Sequence, residues 1–151
     1  MQKYVPGEEI KIDLFGDGAG RLIFAVQRRR LKVRGGEVER GITVKYPELF
    51  HDAQKFAKKF KPLGPVNIQC FYNRETKERF YTEINACFGG GYPLSYHAGA
   101  NFVKYIRVLL NDGKLDNVVG KGYTEGLVMS RFDEAVYRNS RELLEENDSS
   151  L

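Results

Sequence analysis

The chain has no tryptophan, two cysteines, two histidines and two methionines among its 151 residues, and each shortage closes off a class of explanation. Cys70 and Cys87 form no CxxC pair, which argues against a disulfide framework and for a reducing cytoplasm. Cysteines and histidines scattered without ligand spacing give no structural zinc site, so His51 and His97 read as ordinary surface or half-buried residues. Long hydrophobic runs are also missing. The stretch from residue 22 to 26 falls far short of the roughly 20 residues a membrane helix needs, and no signal-peptide pattern opens the chain. The net charge of +4 combines a positive excess in the first two thirds with an acidic end, ELLEENDSSL. That balance suits a phosphate-bearing ligand and is too mild to imply nucleic acid by itself.

What is present is enough for one domain with a buried core. EIKIDLF at 9 to 15 alternates Ile10, Ile12 and Leu14 with Glu9, Lys11 and Asp13, the period of a half-buried strand. GDGAG turns the chain, and residues 21 to 27 return as a second strand. Leu31 and Val33 still alternate before Gly35 and Gly36 open a loop. Pro47 suits the first turn of a helix running to about Lys61, with Leu49, Phe50, Ala53, Phe56, Ala57 and Phe60 as its apolar stripe. Strands are expected at 66 to 73 and 79 to 86. A second helix is expected at 100 to 112, with Val103, Ile106, Leu109 and Leu110 inward and Gly113 as its stop, and a short strand or hairpin within 125 to 137. The last dozen residues read as a frayed helix or disordered tail. The result is β-β-α-β-β-α-β, an α+β antiparallel sheet with helices on one face.

The hairpin at 66 to 86 carries the chemistry. A turn symmetric about Thr76 sets Asn67 opposite Asn85, Ile68 opposite Ile84, Gln69 opposite Glu83 and Cys70 opposite Thr82. One face then gathers Val66, Ile68, Cys70, Phe80, Ile84 and Ala86, and the other Asn67, Gln69, Glu83 and Asn85. Such a polar face is commonly the wet side of a sheet. Yet asparagine is depleted in strands, and three amides with one carboxylate supply the oxygen ligands that Mg²⁺ shares with substrate phosphates. On residue type alone both readings stand.

GPVNIQCF, then EINACFGGGYPLSYHAGANF with Glu83 fourteen residues after Gln69, resembles the C-terminal half of the ATP-grasp fold, in the branch of the carbamoyl-phosphate synthase large subunit. The resemblance extends through YVPGEEIKID, RRRLKVRGGEVERGITVKYPEL and GLVMSRFDEAVY, most of the chain. It implies that Gln69, Glu83 and Asn85 bind Mg²⁺ (or Mn²⁺) bridging the phosphates of ATP, and that Glu9 holds the ribose hydroxyls. Gly89, Gly90 and Gly91 would bring backbone N–H groups to the phosphoryl group. The implied reaction is phosphorylation of a small carboxylate to an acyl phosphate that a nucleophile then attacks.

Two departures qualify this. Where such enzymes commonly read Glu-Ile-Asn-Pro-Arg, this chain has Ala86 and Cys87. The missing arginine leaves Arg34 and Arg40, flanking GGEV, as local candidates for catalytic phosphate contact. The N-terminal half that supplies the lysines over the phosphates is also absent from this stretch, so the expectation is a C-terminal subdomain over 1 to 138 with an acidic tail at 139 to 151. Its partners would be the missing half and a carboxylate substrate, or a second copy in a homo-oligomer. A degenerate non-catalytic subunit, or a module binding nucleic acid through residues 28 to 34, are the competing expectations.

Overall fold

The computed structural model describes residues 5–111, 113–115, 122–135 and 137. Six strands, β1 (Glu8–Asp17), β2 (Leu22–Arg34), β3 (Glu37–Val44), β4 (Leu63–Tyr72), β5 (Arg79–Asn85) and β6 (Val128–Ser130), form one sheet in the order β5-β4-β1-β2-β3-β6. Every pairing is antiparallel. Helix α1 (Pro47–Phe60) joins β3 to β4, and α2 (Tyr92–His97) and α3 (Phe102–Leu110) follow β5. Among the described residues no helix is long and apolar enough to cross a membrane. The expected acidic tail and frayed end lie outside the described residues.

Alternation along the central strand β1 divides the core in two. Ile10, Ile12 and Leu14 point to one face, where α1 lays down Leu49 and Ala53 against Val66, Ile68, Cys70 and Tyr72. The i, i+4, i+8 spacing of Leu49, Ala53 and Ala57 keeps the buried stripe on one side of the helix. Each large aliphatic side chain buried there contributes about 1.5–3 kcal/mol. Phe50 and Phe60, expected in this stripe, are exposed. Phe15 points the other way and, with Phe24 and Val26, packs on Phe102 and Tyr105 of α3. Phe15 meets Tyr105 edge-on, ring centroids 5.5 Å apart.

The α+β class and antiparallel sheet hold, and the helices divide between the faces: α1 covers one, α2 and α3 part of the other. Four further differences are local. The segment after Gly36 is strand β3 rather than loop, and α2 occupies what reads as connection. The buried stripe of α3 is Phe102 and Tyr105, with Val103 and Leu110 exposed. Asn101 sets that phase by accepting the Lys104 N–H at 2.9 Å as the N-cap. Finally, β4 and β5 follow the expected register from Asn67 to Gln69, but an irregularity then sets Cys70 opposite Tyr81 instead of Thr82. The extra residue moves Phe80 to the other face and turns Tyr81 and Arg79 toward α1, where both bond Asp52.

Candidate functional site

Because α2 and α3 cover only part of the second face, the rest is a polar floor whose order follows from register. One transverse rung reads Arg28, Lys11, Gln69, Glu83 across β2, β1, β4 and β5. The next reads Val26, Asp13, Asn67, Asn85. Directly opposed side chains in such rungs are about 5 Å apart at Cβ. Four strands therefore assemble what the hairpin alone supplies in part.

Over this floor lies a recess of about 300 Å³. Gln69, Glu83 and Asn85 line it, together with Lys11, Arg28, Arg30, Glu37, Asn67, Cys87 and the loop Gly89–Gly90–Gly91. Glu9 stands at its edge, where its Oε1 accepts from Gln69 Nε2 at 2.7 Å and Arg30 Nη1 at 2.6 Å. With its amide nitrogen so engaged, Gln69 keeps its carbonyl oxygen for another partner. The Asn85 amide and the Lys11 ammonium hold the Glu83 carboxyl below the usual carboxylate range, so it is an anion at neutral pH.

Within the floor the buried carboxylate of Asp13 accepts four bonds. Arg28 donates from Nε at 2.6 Å and Nη2 at 2.9 Å, Asn67 Nδ2 at 2.6 Å and Ser95 Oγ at 2.5 Å. Arg28 is thereby fixed with Nη1 against the glycine loop: a Cβ on Gly91 would overlap that nitrogen, and one on Gly89 would lie 2.8 Å from Asn67 Nδ2. Glycine is needed here for close approach. The loop is also held from outside, by Arg131 donating to the Gly90 carbonyl.

Arg34 and Arg40 do not line the recess. Arg34 sits toward the far end of the β2–β3 hairpin, paired with Asp133 at 2.6 Å and Glu39 at 3.7 Å, and Arg40 is exposed on β3. The basic run 28 to 30 is not a solvated surface: Arg28 pairs with Asp13, Arg29 with Glu8 and Arg30 with Glu9, each at 2.6 Å. Such pairing leaves little free charge on residues 28 to 30 for an extended nucleic-acid backbone. Lys11, Asp13, Arg28, Arg30 and Glu37 are members that reading the hairpin alone misses. The signal for the first two was the charged half of the β1 alternation.

The donor set suits a divalent cation shared with phosphate better than a closed protein cage. Among the described residues no cluster of three or more His, Cys, Asp or Glu side chains could hold a metal; beside the Gln69 and Asn85 amides the recess offers the Glu83 carboxylate, with Glu37 also on its lining, and Mg²⁺ completes its shell with water and phosphate oxygens. An anion is also invited. Arg30 Nε, from a residue lining the recess, is the buried side-chain polar atom left without a hydrogen-bond partner among the described residues.

Solved structures share this fold at low identity. Kluyveromyces lactis urea carboxylase superposes with a TM-score of 0.63 at 16% identity, over 82% of this chain and 12% of that one. K. lactis urea amidolyase gives 0.62 at 16%, over 82% and 8%. The Campylobacter jejuni biotin carboxylase–βγ-ATP complex gives 0.58 at 15%, over 71% and 26%. This chain thus spans about a quarter or less of each of these proteins. No curated protein is matched by sequence. The family described as "ATP-grasp in the biosynthetic pathway with Ter operon" matches residues 1–131, and the chain belongs to that ATP-grasp family.

Proposed function

We propose that this chain is the nucleotide- and cation-binding part of an ATP-dependent carboxylate ligase, with carbamoyl-phosphate-synthase-like chemistry, completed by an N-terminal ATP-grasp half. The observation that carries the reading is the convergence of Gln69, Glu83 and Asn85 with Arg28, Arg30 and the triglycine loop on one recess. Family membership supports the nucleotide, and the small share of each structural neighbour that is spanned supports a further half.

In this reading the Gln69 and Asn85 carbonyl oxygens and the Glu83 carboxylate hold Mg²⁺ or Mn²⁺, and Glu9 takes the ribose hydroxyls. The cation, when bound, neutralises charge spreading over the transferring phosphoryl oxygens. Arg28, immobilised by Asp13, and Arg30, with its unpartnered Nε, orient the phosphoryl group from the side where arginine at 87 would otherwise stand. Arg34 and Arg40 take no part in that contact. A carboxylate oxygen attacks the terminal phosphorus, ADP leaves, and the acyl phosphate then loses phosphate to an incoming nucleophile.

Calorimetry with Mg-ATP on the full chain, alone and with its N-terminal partner, tests this. Glu83→Ala should weaken binding at least tenfold, about 1.4 kcal/mol; unchanged affinity would refute the cation assignment. Thiol labelling gives a second readout. Cys70 is buried, its thiol pushed up to about 12 chiefly by desolvation, whereas Cys87 is exposed and lines the recess. Iodoacetamide should therefore modify Cys87 alone in the native protein, and Mg-ATP should slow that reaction. Equal rates with and without nucleotide would place the ligand elsewhere.

A further inference from the structure

Three cations line the recess, and two of them are tied down. Arg28 is clamped by Asp13, and Arg30 donates to Glu9 and to the Gly36 carbonyl at 2.7 Å. Lys11 differs. It stands at the centre of the floor, between Arg28 and Gln69 on its rung, and its ammonium reaches past Gln69 to Glu83 Oε2 at 3.1 Å. Among the described residues Glu83 is the bonding partner of its Nζ, and that carboxylate is the anion of the proposed cation site.

We infer that Lys11 is an exchangeable counter-ion: it occupies Glu83 while no divalent cation is bound, and it turns to the nucleotide phosphates once a cation takes its place. The inference rests on the proposal that Glu83 is a cation ligand. Three features carry it. The Glu83 side chain is 51% exposed against 16% for Lys11, so solvent and ions reach the pair from the carboxylate side while the lysine stem stays packed on the floor. A half-exposed single-point ion pair is weak and screened, and a doubly charged ion competes for the same oxygen at an advantage. The ammonium is a point charge on a four-carbon tether, with three donors and no fixed fork, so it can swing to a new acceptor without disturbing the strand. The phosphates would lie within its reach, because Lys11 shares the recess with Arg28 and the glycine loop, the groups proposed to receive them. The cationic charge missing at position 87 is thereby restored from β1.

The opposite signs of two binding effects test this. On the full chain, Mn²⁺ alone is titrated by electron paramagnetic resonance and ATP by calorimetry in saturating Mn²⁺, for wild type, Lys11→Met and Glu83→Ala. Methionine keeps the stem and removes the charge. Lys11→Met should bind Mn²⁺ alone three- to tenfold more tightly, having lost its internal competitor, and ATP at least threefold more weakly. A merely structural pair would weaken both. Mn²⁺ affinity at or below wild type, or unchanged ATP affinity, overturns the inference. If Glu83→Ala loses Mn²⁺ while Lys11→Met behaves as wild type, only the exchange is wrong. If Glu83→Ala binds Mn²⁺ as well as wild type, the cation site falls and the exchange with it.

Discussion

Asp13→Ala should lower the unfolding free energy by about 3–5 kcal/mol, read from urea denaturation, the largest loss expected of any single change in the polar floor. The reason is what would be left behind. The Arg28 side chain is 3% exposed, so removing its partner strands a guanidinium away from water, while Asn67 and Ser95 lose their acceptor too. Asp13→Leu combined with Arg28→Met separates charge burial from packing. It removes both charges, so it should regain most of the stability and yet leave Mg-ATP binding at least tenfold weaker, because Arg28 is a phosphate contact in the proposed site. A loss below about 1 kcal/mol in Asp13→Ala would mean that water reaches Arg28 and that the network does not hold it.

This division explains how much of the site could be read from sequence. Asn67, Gln69, Glu83 and Asn85 were legible because a hairpin's register is local: a short turn fixes which residues oppose, and parity fixes which share a face. The same logic failed at Thr82. An extra strand residue leaves no compositional trace, yet it carried Tyr81 and Arg79 over to Asp52. Lys11 and Asp13 alternate with buried aliphatics just as solvent-facing charges would, and only the strand order, with β1 between β2 and β4, puts them at the centre of a covered face. Arg28 to Arg30 read as a basic run because the β1–β2 hairpin was legible but not its register, which a bulge at Phe15/Gly16 shifts, so their pairing with Asp13, Glu8 and Glu9 did not show. β3 was obscured by Gly41 in the middle of EVERGITV, where a Cβ would lie 3.4 Å from both Leu94 Cδ2 and the Arg29 carbonyl. Here glycine marks close packing of α2 on the sheet rather than a break.

Close approach also yields the sharpest prediction at the loop. Gly91→Ala and Gly90→Ala add the same methyl group one residue apart, and their effects should differ widely. Gly91 has φ of −93°, which any residue adopts, so sterics alone decide the outcome. Its Cβ would overlap Arg28 Nη1, a side-chain tip that would normally swing aside but is here fixed by two bonds to buried Asp13. Either the loop lifts or the Arg28–Asp13 pair opens. A cost of about 1–3 kcal/mol follows, as for other overpacked sites, with at least a tenfold loss of Mg-ATP affinity. At Gly90 the obstacle is Glu37, whose side chain is 66% exposed and joined to Arg131 only at 3.7 Å, so it can rotate into solvent. Gly90→Ala should therefore cost under about 0.5 kcal/mol, like an ordinary surface change. Equal effects at the two positions would show that Arg28 yields as freely as Glu37, and the rigid cation assigned to the phosphate side of the recess would have to be given up.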